Sequence, residues 1–257
     1  MNSLDLAGQT ALVTGASGGI GRAIALALAA AGADVVIHGH RNRASLEELA
    51  TQIKQLGRQV LILTADLANA AAINTLAAEA WQWQGRLDLL VNNAGADVLT
   101  GAAAEWSFAE KLQLLWQVDV VGCMTLSRLI GPRMRERGQG SILNIGWDQA
   151  ERGMAGDAGE MFGTIKGAVM AFTRSLAQSL APQVRVNCLA LGWIRTAWGE
   201  QTTDYWQQRA KQESLRERWG TPEDVAAAVR FLSSPAAEFI TGQVIAVNGG
   251  FRFGLLK

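Results

Sequence analysis

Thr14-Gly15-Ala16-Ser17-Gly18-Gly19-Ile20-Gly21 is a glycine-rich turn set between an apolar run, residues 11–14, and an apolar helical stretch, residues 20–31. Glycines let the backbone turn sharply and come close to a pyrophosphate. A helix that starts there offers unpaired N–H groups and the positive end of its dipole to the anion. The competing reading is a tight turn without ligand, and the placement between strand and helix argues against it.

The same rhythm continues outward from the turn. Residues 35–38, 60–63, 87–91, 142–145, 184–188 and 244–247 are short runs rich in Val, Ile and Leu without polar alternation. Strands buried on both faces of a parallel sheet read this way. Helical stretches lie between them at residues 46–56, 70–83 and 164–180. Strand–helix alternation predicts right-handed crossovers, hence an α/β chain with a doubly wound, seven-stranded parallel sheet and helices on both faces. No linker, low-complexity segment or fixed-period repeat divides the 257 residues, so one domain over 1–257 is expected. Residues 193–220 are the exception: charged, Trp-rich, between two strands, and read as a mobile lid. Pro132 is expected near a helix C-terminus, Pro182 before a strand, and Pro222 in the first turn of a helix capped by Thr221.

Composition narrows the partners. Hydrophobic residues at 49% and charged residues at 18% are those of a globular chain. Lys and Arg, 23 together, balance 23 Asp and Glu, which gives no reason to expect nucleic acid or an anionic membrane surface. Two cysteines, Cys123 and Cys188, are too few for a disulfide scaffold. Residues 1–10 lack the apolar core of a secretory signal. The longest apolar run, residues 23–33, is shorter than the roughly 20 residues that cross a bilayer. The expectation is a cytoplasmic protein with reduced thiols, no membrane segment and no metal site.

Further motifs point one way. Asn92-Asn93-Ala94-Gly95 closes the fourth strand, Gly85-Arg86-Leu87-Asp88 precedes it, and Thr241-Gly242-Gln243 and Asn248-Gly249-Gly250 lie near the C-terminus. With the Thr-Gly-x-x-x-Gly-x-Gly spacing of the turn, they resemble the short-chain dehydrogenase/reductase family, in order and along nearly the whole chain. The resemblance implies a single Rossmann-like domain, a nicotinamide dinucleotide, a small-molecule substrate and a homo-oligomer, dimer or tetramer. It implies that Gly15, Ser17, Gly18, Gly19, Ile20 and Gly21 cradle the cofactor. It further implies that Asp66 and Leu67 meet the adenine, and Asn93, Ala94 and Gly95 the adenosine ribose side. Gly192, Ile194 and Thr196 match its carboxamide and phosphate contacts, although Leu191-Gly192 stands where the family usually has Pro-Gly.

The end of the second strand selects between the two dinucleotides. An acidic residue there favours NAD, and an Arg accepts a 2′-phosphate. The column of the acid falls on Gly39, and no carboxylate occurs between Asp34 and Glu47. Arg41 offers a planar donor fork, with His40 or Arg43 beside it. The reading is NADP(H) in preference to NAD(H); the alternative is that these are solvated loop charges.

The catalytic pattern departs from the family. The resemblance calls for a Tyr acid, a Lys four residues on that binds the nicotinamide ribose, a Ser and an Asn. Lys166 is in place, but the Tyr column holds Phe162, the Ser column Trp147 and the Asn column Asp119. The only Tyr is Tyr205, inside the lid. Phe cannot donate a proton, and losing a general acid costs on the order of 10²–10⁴ in rate. Two readings follow. In the first, the chain is an NADP(H)-dependent oxidoreductase with an atypical donor, Asp148 or Asp119, whose pKa an apolar site would raise. In the second, the pocket is catalytically inactive and the protein is an NADP(H)-binding sensor or partner subunit. Elimination or isomerisation on the same fold is a third reading. Asp157 and Glu160 are read as charges at a helix start rather than as catalysts.

Nine Trp is a high count for this length. Trp147, Phe162, Trp193 and Trp198 are expected to wall a pocket for a small aromatic or heterocyclic substrate, with Trp206 and Trp219 near its mouth or in the lid. The competing reading is lid packing or a subunit interface, the latter above all for Trp106 and Trp116.

Overall fold

The computed structural model describes residues 5–252, apart from the side chain of Trp198. Its strands are β1 Thr10–Val13, β2 Asp34–Gly39, β3 Val60–Thr64, β4 Leu89–Asn92, β5 Gly140–Trp147, β6 Val184–Leu191 and β7 Val244–Val247. They form one sheet in the order β3-β2-β1-β4-β5-β6-β7, and every pairing is parallel. The helices are α1 Gly19–Ala30, α2 Arg43–Gln55, α3 Ala70–Gln84, α4 Phe108–Leu115, α5 Cys123–Glu136, α6 Gln149–Arg152, α7 Asp157–Leu180, α8 Ala197–Gln201, α9 Asp204–Glu213 and α10 Pro222–Ser233. A π-helical turn, Trp116–Gly122, joins α4 to α5.

Alternate strand residues face opposite layers. Val13, Ile37 and Leu143 join Ile24 and Leu28 of α1, Leu46 of α2 and Val225 of α10 on one face. Leu12, Leu90 and Ile142 join Leu76 of α3, Ile130 of α5 and Leu176 of α7 on the other. Each such buried aliphatic side chain contributes about 1.5–3 kcal/mol, which is why the apolar runs choose strands here. Asn42 and Asn69 cap α2 and α3, and Ser107 and Thr221 form capping boxes on α4 and α10.

The seven-stranded, doubly wound sheet is the one expected, with differences at its margins. The edge strands β3 and β7 are only partly buried, because each has a neighbour on one side alone. β5 and β6 run to Trp147 and Leu191, beyond the apolar runs. Asn144, polar and fully buried, does not end β5, because Asn92 donates to it and it donates to Thr173, at 2.8 and 2.9 Å. β4 starts only at Leu89, since the buried Asp88 side chain accepts from the Thr10 N–H at 2.8 Å and pairs with Arg86 and Arg137. Pro132 lies inside α5, near its C-terminus at Glu136 as expected. Residues Phe108–Glu136, through the π turn, form one helix long and apolar enough to cross a membrane by length and composition, but 50% of its apolar window is buried within the fold.

Candidate active site

Strand order reverses between β1 and β4, and open α/β sheets bind ligands in the crevice beyond such a switch point. The glycine turn and Asn92-Asn93-Ala94-Gly95 leave the sheet there side by side. The Thr14 hydroxyl ties them, accepting from the N–H groups of Asn93 and Ala94, both at 3.0 Å. The Asn93 amide donates back to the carbonyls of Thr14 and Gly15 at 2.9 and 3.2 Å. Asn93 therefore spends its side-chain donor on the turn. A Cβ on Gly21 would stand 2.2 Å from the Gly15 carbonyl oxygen, and one on Gly15 2.8 Å from Ala94 Cα at a φ of +67°. Neither position admits a side chain. Over Gly18, by contrast, nothing lies within 4 Å. The α1 N-terminus carries no side-chain cap and no acid in its first turn. Ser17 and Ile20 are half-buried beside it, and Gly19 approaches Thr196 across the crevice. The site is an open cluster of N–H donors at the positive end of a helix, which suits a pyrophosphate.

At the end of β2, Gly39 leaves room only up to Leu46, whose Cδ1 would lie 3.1 Å from an added Cβ. His40 and Arg41 are exposed, and among the described residues the Arg41 guanidinium has no hydrogen-bond or ion-pair partner. Arg43 is paired with Glu47 at 3.0 Å. Asp66 turns one carboxylate oxygen to the Ala68 N–H at 2.9 Å and lies 4.0 Å from His40 Nε2, while Leu67 is buried. Beneath this rim, burial lowers the pKa of His38 to about 4, against a 3.1 Å contact of its Nε2 with the Ala65 carbonyl.

Beyond β5 and β6 lies a cavity of about 350 Å³. Its wall includes Trp147, Phe162, Trp193, Trp206 and Trp219, together with Ile20, Gly192, Ile194 and Thr196 from the cofactor side. Trp147 and Phe162 meet edge to face at 6.3 Å. Trp193 packs on Trp206 at 5.4 Å and on Trp219 at 6.2 Å. Lys166, one helical turn after Phe162 on α7, is the only ionisable residue in this lining among the described residues.

Lys166 does not stand alone. Its Nζ donates to Asp119 Oδ2 at 2.9 Å, and Asp119 Oδ1 accepts from the Ala96 N–H at 2.8 Å. The wide π turn carries Asp119 to this position, a distortion frequent at functional sites. Burial would lower the Lys166 ammonium, but the charge and hydrogen bond of Asp119 outweigh it and hold the pKa above its usual value. Cys123 and Cys188 lie nearby as free thiols, and burial pushes both up to about 12, so both are neutral.

Asp148 is not brought to Lys166. Although one residue from Trp147, its side chain turns away from the cavity to accept from Asn248 Nδ2 at 2.9 Å and to pair with Arg152. Burial, the largest cause, raises its pKa despite these partners. It fastens α6 to the segment after β7. A buried residue not singled out by sequence reading, Glu213, organises the Trp wall: it accepts from Trp193 Nε1 at 2.7 Å, Gln149 Nε2 at 3.2 Å and Arg209 Nε at 2.6 Å. Nothing in sequence spacing links Gln149 to Glu213, and nothing sets Glu213 apart from Glu200, Asp204 and Glu217 in the same segment. Residues 193–220 are closed at their base by an Ile194–Gly220 bridge and carry α8 and α9 over the cavity. Trp198 lies in α8, and its side chain is outside the described residues.

Residues 15–252 match the family model described as enoyl-(acyl carrier protein) reductase. Nodulation protein G of Rhizobium sp. strain N33 is 37% identical over 96% of this chain and 98% of its own. The chain belongs to the short-chain dehydrogenase/reductase family. A 3-oxoacyl-[acyl-carrier-protein] reductase of Synechocystis is 34% identical over 95% of this chain and 97% of its own. Among solved structures, a Burkholderia cenocepacia short-chain dehydrogenase in complex with NADP superposes with a TM-score of 0.85 at 30% identity, covering 96% and 98% of the two chains. A 7α-hydroxysteroid dehydrogenase complexed with NADH and 7-oxo glycochenodeoxycholic acid gives 0.88 at 32% identity, covering 98% of each. The chain is thus a nucleotide-binding, Rossmann-like member of an oxidoreductase family.

Proposed function

We propose that the protein is an NADP(H)-dependent oxidoreductase that transfers hydride to or from a small aromatic or heterocyclic substrate. The observation that carries this reading is the juxtaposition of an uncapped, glycine-lined α1 N-terminus with an aromatic cavity sharing Ile20, Gly192, Ile194 and Thr196. The bound dinucleotide supplies or removes the hydride. Gly15, Ser17, Gly18, Gly19, Ile20 and Gly21 hold its pyrophosphate; Asp66, Leu67, Asn93, Ala94 and Gly95 frame the adenosine. His40 and Arg41 receive the 2′-phosphate, a role supported by the absence of a carboxylate at Gly39 and by the unspent Arg41 fork.

Lys166 holds the ribose and borders the reacting centre, and Asp119 positions it. Asp148, turned from the cavity, is assigned to fastening the fold instead. Residues 193–220 form the lid, within one domain over 1–257. Exposed Phe108 and Trp116 on the long helix, with Trp106 just before it, support assembly with further copies as a dimer or tetramer.

The test is a titration with NADPH and NADH read by quenching of Trp fluorescence. The expected result is micromolar NADPH affinity with NADH weaker by about tenfold or more, the value of one charged hydrogen-bond pair. Equal affinities would remove Arg41 as phosphate reader, and no binding of either would end the oxidoreductase reading. A cofactor-binding sensor without catalysis is favoured by one observation, the lack of an acid other than Lys166 among the described residues of the lining. It would bind NADPH and transfer hydride to nothing.

A further inference from the structure

We infer that the acceptor reduced in this cavity is a preformed organic cation, an iminium ion conjugated to or fused with an aromatic ring. The inference rests on the oxidoreductase reading and names its substrate class.

Three departures from the family pattern find one explanation here. Phe162 and Trp147 remove both hydroxyls that would hydrogen-bond and protonate a carbonyl oxygen. A carbonyl reduced in such a site would leave an alkoxide without either of those hydroxyls, in a mostly apolar enclosure where the one ammonium, Lys166, is already engaged by Asp119 and a poorly paired charge is expensive. An iminium needs no donor. Its carbon accepts a hydride, the C=N π pair withdraws onto nitrogen as a lone pair, and the reductant, a reduced nicotinamide dinucleotide, departs as its pyridinium cation. Charge is conserved, and no proton is gained or lost.

The third departure, Asp119, sets the electrostatics. A lone Lys166 ammonium would repel a cation from the cavity. Asp119, 2.9 Å from its Nζ, makes the pair neutral overall. An Asn at that position would leave the positive charge standing. Among the described residues of this lining nothing else is ionisable, and the adjoining Cys123 and Cys188 thiols are uncharged.

The remaining wall is built for a cation. Trp147, Phe162, Trp193, Trp206 and Trp219 line the space, and the faces of indole and phenyl rings attract positive charge, more strongly where water is excluded. Outside the lining, the Arg209 guanidinium, paired with Glu213 at 2.6 Å, stands 5.7 Å from the Trp193 centroid and 5.2 Å from that of Trp206. Glu213, by accepting from the Trp193 indole N–H, pushes electron density toward the ring face.

The experiment compares two benzo-fused bicyclic acceptors of similar size with NADPH, an N-methyl dihydroisoquinolinium salt and α-tetralone. A second readout, independent of turnover, is binding of a saturated quaternary ammonium analogue and of its neutral carbon isostere, followed by Trp quenching. The expected results are a kcat/KM for the iminium at least about 100-fold above that for the ketone, and at least about tenfold tighter binding of the quaternary ammonium. Asp119→Asn, which keeps the acceptor for the Ala96 N–H, should weaken quaternary ammonium binding about tenfold while sparing the neutral isostere. NADPH binding with the ketone reduced as fast as the iminium, with the iminium left unreduced, or with no preference for the cation overturns the inference and leaves the cofactor reading intact. Failure to bind NADPH overturns the oxidoreductase reading and the inference with it.

Discussion

Around the glycine turn after β1, polar side chains hold backbone in place: the Thr14 hydroxyl takes two N–H groups and the Asn93 amide two carbonyls. The groups left over are N–H donors at the α1 N-terminus. Around the cavity after β5 and β6, side chains themselves form the surface: five aromatic rings, with one ammonium neutralised by one carboxylate. The first region reads a ligand with backbone and leaves little freedom to change sequence, since at Gly21 even a methyl group would strike the Gly15 carbonyl. The second reads a ligand with side chains, and three of its positions depart from the family pattern without disturbing the strands beneath. Cofactor recognition and acceptor recognition can therefore diverge independently within one sheet.

The largest effect that would sharpen this contrast lies at the ion pair. Lys166→Met should destabilise the fold by about 3–5 kcal/mol, because it leaves Asp119 as a buried, unpaired charge. Lys166→Met combined with Asp119→Asn should recover most of that loss. Denaturant midpoints of the three variants decide; a midpoint for Lys166→Met equal to that of the parent would show that Asp119 is solvated or protonated instead.

The cofactor half has a different weak point, and it is acid. His38 is buried neutral with a pKa of about 4, against 6.5 when unfolded. The unfolded chain takes up a proton that the folded chain refuses. Stability is therefore fully present above about pH 6.5 and falls as pH drops toward 4, by on the order of 3 kcal/mol in all. His38→Gln should flatten that part of the stability curve between about pH 7 and pH 4. A parent curve already flat there would mean that His38 titrates normally in the folded state.

Phe162→Tyr tests the acceptor half directly. Restoring a phenol one turn before Lys166 should raise reduction of α-tetralone about 100-fold, the usual scale of a general acid. Reduction of the iminium salt should change little. A matching gain on both acceptors would break the distinction, because proton supply would then limit neither.

The smallest expected effect is at the rim. Arg41→Ala should weaken NADPH about tenfold and leave NADH unchanged, since an exposed guanidinium contributes a screened, charge-assisted contact. Equal losses for both dinucleotides would assign Arg41 to the fold and not to the phosphate.

Much of the frame was legible in the chain itself. The apolar runs separated by helical stretches specify parallel strands, because only a two-sided burial rewards continuous Val, Ile and Leu. The glycine turn specifies its own geometry, because no other residue can stand at Gly15 or Gly21. The substitutions at Phe162, Trp147 and Asp119 were equally visible, since motif columns are counted along the chain. Which acid faces the cavity was not visible. Asp148 and Asp119 both stand near it in sequence order, yet Asp148 turns toward Asn248, 100 residues on, and Asp119 is carried to Lys166 by a π turn that leaves no mark in residue spacing. The Glu213 network joins Gln149, Trp193 and Arg209 from three separate segments. Local pattern determines which elements form, because periodicity and turn chemistry act between near neighbours. The direction of a buried charge is decided by partners far along the chain, which only the packed sheet and its helices bring within hydrogen-bond reach.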